Sequence, residues 1–460
     1  MESGTFELSP LAATHEGAAA AAPARAPELT QLKSAPVDRA ERITALDSLR
    51  GFALLGILLM NIIAFGIYGA AYDDPTVAGG STGANLWVWA VLHVVAEGKM
   101  RCLFSLVFGA GVILLTSRLE KRGDAADIYY RRTLWLLAFG IADAYLLWLG
   151  DILYPYALCA LALYPFRKMS PRALITIGIL ILAMSSVSYV FVGMGQKEMI
   201  EKGQAAEKAA AAGQVLTHEQ QGAKTSYENW RRFMRPTQPE VDRVNAQWRG
   251  NALSVLKARA SVVTYFHFKP YYQPGNWDIW CMMFLGMGLF KLGILSAAKP
   301  IRYYATMVLI GYGIGLPVNT YTAWFIMKTN FDPAMHAFAN TTYDLGRLTV
   351  ALGHLGLMMM LVKSGAMRWL TDRLGAIGQM ALSNYVMHSV ICTVLFTGMG
   401  FGLFGRLQRY ELYYVVAAIW VFQLIVSPIW LRHFRFGPLE WCWRSLTYWQ
   451  KQPMRLRAVA

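Results

Sequence analysis

The sequence predicts an all-α fold: a polytopic membrane helix bundle of about ten transmembrane helices, both termini cytoplasmic, with one long extracytoplasmic helical loop. Three observations predict it. Hydrophobic residues make up 55% of the 460 and charged residues only 15%, against about 25% in a typical soluble domain. Apolar runs close to the roughly 20 residues that span a bilayer recur along the chain. The basic residues fall between alternate runs, which is the cytoplasmic bias of membrane proteins.

The elements follow in chain order. Residues 1–38 are rich in Ala and Pro and lack a basic stretch leading into an apolar core, so they read as a disordered cytoplasmic tail and not as a secretory signal. Residues 39–193 hold the first five membrane helices, with apolar segments at 49–68, 101–117, 133–150, 152–167 and 172–193. The fourth is short and reads as tilted or as ending at a thinned edge. Between Ala84 and Gly98 a stretch rich in Trp and Val, centred on His93, reads as an interfacial or re-entrant helix. Residues 194–275 form the outer loop. Its Glu/Lys/Ala-rich part, 196–232, predicts one or two amphipathic helices, and Y-F-H-F-K-P-Y-Y at 265–272 an aromatic interface belt. Residues 276–431 hold helices six to ten, at 277–297, 302–327, 343–363, 374–398 and 411–431, and 432–460 form a basic cytoplasmic tail.

Charge sets the orientation. The links 118–132, 167–172, 298–302 and 363–373 and the C-terminal tail are all basic. Ten spans with both termini inside put every one of them on the cytoplasmic face. The net charge of +15 is accounted for in this way, which excludes a nucleic-acid partner. The five cysteines (Cys102, Cys159, Cys281, Cys392, Cys442) form no C-x-x-C pair and predict neither a disulfide framework nor a metal site. No nucleotide loop, H-E-x-x-H or G-x-S-x-G is present, and the glycines of 398–405 lack a strand–turn–helix context.

Polar residues inside the apolar runs mark the candidate site, because an ionisable group at the bilayer centre costs about 2.5–3.5 kcal/mol and faces protein or water. Asn61, Asp143, His354 and His388 lie near the middle of the first, third, eighth and ninth segments, with Ser383 and Asn384 one turn before His388. Asn61 is eleven residues beyond Arg50, about 16 Å deeper at 1.5 Å per residue. Asn319 follows Pro317, which is expected to kink the seventh segment. These residues read as a polar belt, although a lone asparagine in such a helix is commonly inter-helix glue. Asp143 needs a partner or a proton, and His354 and His388 are the candidates. At the segment ends, His93 and Glu97 share a helix face beside Lys99 and Arg101; Asp151 sits in a turn; Asp344 and Arg347 are spaced as a local ion pair.

L-D-S-L-R-G-F-A-L-L-G-I-L-L-M-N-I (46–62), E-G-K-M-R-C-L-F-S-L-V-F-G-A-G (97–111), L-L-W-L-G-D-I-L (146–153), G-Q-M-A-L-S-N-Y (378–385) and F-R-F-G-P-L-E-W-C-W-R-S-L-T-Y (434–448) resemble, in this order, blocks of the YeiB-like bacterial membrane proteins, a family with a domain of unknown function. Those proteins resemble more distantly the transmembrane acyltransferase superfamily, whose members have about ten helices and move an acyl group from cytoplasmic acyl-CoA to an acceptor. In its O-acyltransferases an arginine is followed eleven positions on by a histidine. Arg50 fits the arginine, and Asn61 stands where the histidine would be. Glu97 is similar to an acidic position of the superfamily, and Asp143 replaces a usual histidine.

The resemblance implies a membrane-embedded acyltransferase of a bacterial cytoplasmic (inner) membrane. No cofactor is held permanently, and acyl-CoA is the donor substrate. Arg50, Asp47, Lys99 and Arg101 would hold the donor. Asn61, His93, Glu97, Asp143 and His388 would carry the chemistry, since asparagine can hold an oxyanion while a histidine or carboxylate must take the proton. Asp151, Asn319, His354, Ser383 and Asn384 would line the substrate path. The expected partners are the bilayer and a lipid, glycan or small-molecule acceptor, with a homodimer left open. Two other classes remain: a proton- or ion-coupled transporter using the Asn/Asp/His belt, and a non-catalytic scaffold or sensor.

Overall fold

The computed structural model describes residues 43–456 apart from 122, 124, 269–276, 334 and 336–338. The expected N-terminal tail, 1–38, and part of the aromatic stretch 265–272 lie outside the described residues. Within them the chain is helical throughout, with sixteen α-helices and a single isolated β-bridge, Phe434 with Arg455. Five helices are long and apolar enough to cross a membrane, or six if one bent pair is counted as a span.

α1 (Thr44–Gly66) starts with Asp47 in its first turn, a favourable place for an anion on the helix dipole. α2 (Gly83–Val95) and α3 (Lys99–Glu120) follow. The stretch 84–98, read as an interfacial or re-entrant helix, supplies α2, which leads into α3; the two together form one apolar element from Gly83 to Glu120. The continuity is broken at 96–98, where Gly98 takes φ +69°. That left-handed backbone suits glycine, and a Cβ there would also overlap the Tyr343 hydroxyl.

α4 (Ala125–Leu146) and the short α5 (Leu153–Leu163) form a hairpin. α6 (Pro171–Ala211) is capped by Ser170, whose Oγ accepts from Ala173 N at 3.2 Å, with Pro171 at its first position. Only 11% of its apolar window is buried inside the protein, so this face is left for lipid. Its far half and α7 (His218–Met234) supply the amphipathic helices expected over 196–232. α8 (Gln238–Trp248) and α9 (Ala252–Phe268) complete the loop. Reciprocal capping boxes, Thr217 with Gln220 and Thr237 with Glu240, start α7 and α8.

The remaining helices are α10 (Asp278–Lys291), α11 (Ile301–Lys328), α12 (Tyr343–Ser364), α13 (Arg368–Gln379), α14 (Ala381–Phe396), α15 (Arg409–His433) and α16 (Pro438–Tyr448). α11 runs on through Pro317 as one helix. The ninth predicted segment is not one helix: α13 and α14 meet at Met380 with an 82° bend.

The basic links gather at one end of the bundle. Lys363 Nζ donates to Ala297 O (2.9 Å), Lys291 Nζ to Arg167 O (2.7 Å), and Arg167 pairs with Glu120 (2.8 Å). Trp443 Nε1 of α16 donates to Arg132 O at 2.8 Å. The 194–275 loop packs at the opposite end, where Gly398 N donates to Trp248 O (2.9 Å) and Tyr145 OH meets Thr264 Oγ1 (3.1 Å). These are called below the basic end and the loop end.

Helices in lipid gain little from apolar burial against one another and associate through close backbone approach. Two glycine seams do this here. On α3 and α10, a Cβ at Gly109 would overlap Met283 O, and one at Gly286 would overlap Leu106 O. On α1 and α13, a Cβ at Gly51 would overlap Leu374 O, and one at Gly378 would overlap Asp47 O. Overpacking against backbone costs about 1–3 kcal/mol. Gly378→Ala is therefore expected to lower the thermal midpoint in detergent. Gly195→Ala, with nothing within 4 Å of its Cβ, is expected to leave the midpoint unchanged or raise it. Equal midpoints for the two variants would show that the α1–α13 seam is not close-packed.

Candidate functional site

A cavity of about 270 Å³ opens at the basic end and runs into the bundle between α1, α3, α4, α5, α13, α14 and α16. That volume is just below the roughly 300–1,000 Å³ of pockets for whole drug-sized ligands, so it suits a chain better than a nucleotide. Four arginines stand around the mouth: Arg50, Arg118, Arg132 and Arg444. Arg50 is held by Asp47 (2.7 Å) and by Gly378 O (3.3 Å). Arg132 stacks over Trp443 at 3.6 Å and Arg444 over Phe436 at 4.5 Å. The walls are apolar, with Phe108, Val112 and Leu136 among them. The lining residues of α3 extend from Arg118 to Phe104, about 21 Å at 1.5 Å per residue. The closed end is formed by Leu153, Tyr156 and Tyr385. There Tyr156 OH meets Ser105 Oγ at 2.6 Å, and Tyr385 OH accepts from Ile152 N at 3.0 Å.

α16 forms one side of the mouth. Glu440 accepts from Leu382 N (2.6 Å), Ser383 N (3.1 Å) and Ser383 Oγ (2.5 Å). It thereby caps the first turn of α14, and Ser383 Oγ in turn accepts from Leu439 N at 3.0 Å. Burial pushes the Glu440 carboxyl above its ordinary range, against the pull of these bonds. Ser383 is part of this clasp.

The predicted polar belt divides into separate clusters. Asn61 is half-buried, makes no hydrogen bond among the described residues and is not on the cavity wall. His388 Nε2 meets Gln423 Oε1 at 2.9 Å, and Gln423 Nε2 donates to Asn384 O at 3.0 Å. A carbonyl only accepts, so the amide is fixed and His388 Nε2 carries its hydrogen. Asn384 closes this network by donating to Ile377 O (3.2 Å) and Ser427 Oγ (3.1 Å). Asn319 donates to its own Gly315 O at 2.6 Å.

Neither histidine partners Asp143, which corrects that expectation. Asp143 Oδ2 accepts from Ser389 Oγ at 3.2 Å, and its charged neighbours are Asp151 and Arg259. His388 and Ser389 point to different helices, α15 and α4, because adjacent helical residues do not share a face. His354 is a capping residue. Its Nε2 lies 2.9 Å from Val95 O at the end of α2, so it must donate there, and its Nδ1 accepts Tyr312 OH at 2.6 Å.

The break between α2 and α3 carries the densest charge. Lys99, fully buried, donates to His93 O at 2.7 Å. Glu97 accepts from Tyr343 OH at 2.9 Å, and the His93 ring stacks on Trp89 with centroids 5.0 Å apart. Arg101 pairs with Asp278 (2.7 Å), Asp278 with Arg347 (2.8 Å), Arg347 with Asp344 (2.5 Å), and Asp344 with Ser186 (2.7 Å). The local Asp344–Arg347 pair read from spacing is present. Lys99 and Arg101 belong to this cluster and do not line the Arg50 cavity. The sequence does not single out Asp278 or Arg259: Asp278 opens an apolar segment, where an acid is ordinary, and Arg259 is one of several arginines in the 194–275 loop.

The region 289–450 matches the family described as "Protein of unknown function (DUF418)". Over 410 residues the chain is 29% identical to "Uncharacterized protein YeiB" of Escherichia coli (strain K12), covering 88% of this chain and 96% of that one. Over 431 residues it is 27% identical to "Uncharacterized protein YxaH" of Bacillus subtilis (strain 168), covering 90% and 96%. Over 426 residues it is 27% identical to "Uncharacterized 39.9 kDa protein in amylase 3'region" of Bacillus acidopullulyticus, covering 92% and 99%. No solved structure matches the chain.

Removing one partner of a buried ion pair costs about 3–5 kcal/mol because a charge is left unpaired. Asp278→Asn takes the acid from half-exposed Arg101 and leaves buried Arg347 with Asp344 alone, and is expected to lower stability by about 3 kcal/mol, the low end of that range, read as a fall in thermal midpoint and in yield of folded protein. Asp127→Asn breaks the Arg131–Asp127 pair, whose acid is 70% exposed, and is expected to cost at most about 1 kcal/mol. Equal effects would mean that the Asp278 cluster is hydrated.

Proposed function

For this chain, a member of the YeiB-like family of unknown function, we propose a membrane-embedded acyltransferase that receives its donor in the Arg50 cavity. The observation that carries this reading is the cavity itself, with four arginines around its mouth and an apolar barrel behind them. An anionic head joined to a slender apolar arm is complementary to that shape and charge. Acyl-CoA has both parts: its phosphates would meet the arginines, which suit phosphate through bidentate hydrogen bonds, and its pantetheine and acyl portions would enter the barrel. The acceptor is a lipid, glycan or small molecule bearing a hydroxyl or amine.

The chemistry would take place at the closed end. Asn61 has no position on the cavity wall, so the Tyr156 hydroxyl takes over the proposed oxyanion role. The basic end is read as cytoplasmic, in a bacterial inner membrane, with both termini inside and the 194–275 loop outside. The ten-span count is kept in this reading, with short α5 and bent α13–α14 among the crossings. The broken α2–α3 element favours a second reading, a transporter, because broken helices line binding sites in that class.

Isothermal titration of the purified protein with acetyl-CoA and longer acyl-CoAs tests the proposal. Micromolar binding is expected, weakened at least tenfold, or about 1.4 kcal/mol, by Arg118→Ala, Arg444→Ala and Arg50→Ala, and weakened by added salt. Absence of binding by every acyl-CoA, or unchanged affinity in all three variants, would overturn it in favour of transport.

A further inference from the structure

Behind the closed end of the cavity lies an acid pair. Asp143 stands one turn before the end of α4, and Asp151 in the turn before α5. They are 3% and 1% exposed, and their carboxyl groups are hydrogen-bond partners of one another. Asp151 is also fixed by Leu153 N (3.0 Å), by Tyr154 N (2.8 Å) and by the Tyr385 hydroxyl. Asp143 Oδ2 takes Ser389, and among the described residues the buried Asp143 Oδ1 accepts from no donor. Two carboxylates cannot hydrogen-bond without a hydrogen between them.

The charge balance leads to the same result. Arg259 of α9 reaches in, 1% exposed, and donates to Leu146 O. It is the cation that acts on Asp143. His267, also on α9, stacks on Tyr154 with ring centroids 3.8 Å apart. Burial lowers its pKa from the ordinary value, so it adds no charge near neutral pH. The other titratable group that meets the pair is the hydroxyl of Tyr385 on α14. With both acids ionised the site would carry a net negative charge in a low-dielectric interior. With one proton between them it is neutral, which is the arrangement a buried site favours.

We propose that Asp143 and Asp151 bind a single shared proton, with Arg259 as counter-charge, and that this pair is the proton-exchange site of the cavity, reached through the Tyr385 hydroxyl. Its ligand is the proton, and its exchange partner is a hydroxyl or amine presented at the closed end. In the acyl-transfer reading, on which this second part rests, the attacking group gives its hydrogen to Tyr385 O as the new C–O or C–N bond forms. Tyr385 passes its own hydrogen to the still-ionised acid. The pair returns one proton to the thiolate as the C–S bond breaks, so it ends as it began.

The test is an infrared pH titration of the detergent-solubilised full chain, with aspartate side chains 13C-labelled and no acyl donor present. An aspartic-acid C=O band that shifts with the label and in D2O is expected near neutral pH. It is expected to be lost in both Asp143→Asn and Asp151→Asn, because in either variant the new amide donates to the remaining carboxylate and the shared proton leaves. Loss in only one variant would identify an independently protonated acid and overturn the shared site. If a variant does not fold, the labelled natural chain still decides, since absence of the aspartic band overturns the proposal outright. Without donor in the sample, this result stands or falls separately from acyl-CoA binding.

Discussion

Asp278 between Arg101 and Arg347 is the contact on which the rest of the bundle depends. In a low-dielectric interior an isolated charge is costly, and a chain of paired charges is tolerable only if its sum is near zero. Here two arginines and two aspartates alternate, and Ser186 terminates the line. The cluster joins α3, α6, α10 and α12, helices far apart in the chain, in one arrangement.

That pin makes the broken α2–α3 element tenable. An interrupted helix exposes backbone carbonyls that need donors wherever water is scarce. His354 donates to Val95 O and Lys99 to His93 O, while Tyr343 holds Glu97. Polar residues that resemble a transport path in the sequence are thus largely engaged in repairing the break. The same helix then serves the cavity with its other half, from Phe104 to Arg118. One end of α3 is anchored by charge, and the remainder offers an apolar wall.

The cavity in turn depends on close helix approach and on the last helix. The glycine pair Gly51 and Gly378 lets α13 lie against α1 beside Arg50, and Glu440 ties α16 to the first turn of α14. Arg132 and Trp443 then stack across the mouth. At the other end, Arg259 extends from the loop helices into the bundle. The 194–275 loop therefore supplies a charge to the interior as well as covering that end.

The sequence by itself determined the helical class, the apolar segments and the collection of basic links at one end, because composition and hydropathy act locally along the chain. It also determined the Asp344–Arg347 pair, since residues three apart on a helix are neighbours whatever the tertiary fold. Only the tertiary structure decided which polar residues meet across helices. It separated Asn61 from the cavity, placed His354 on a carbonyl of α2, joined Asp143 to Asp151 and Arg259, and gave Asp278 its two arginines. Such pairings depend on how helices cross and where they break, and no spacing within a single segment encodes that.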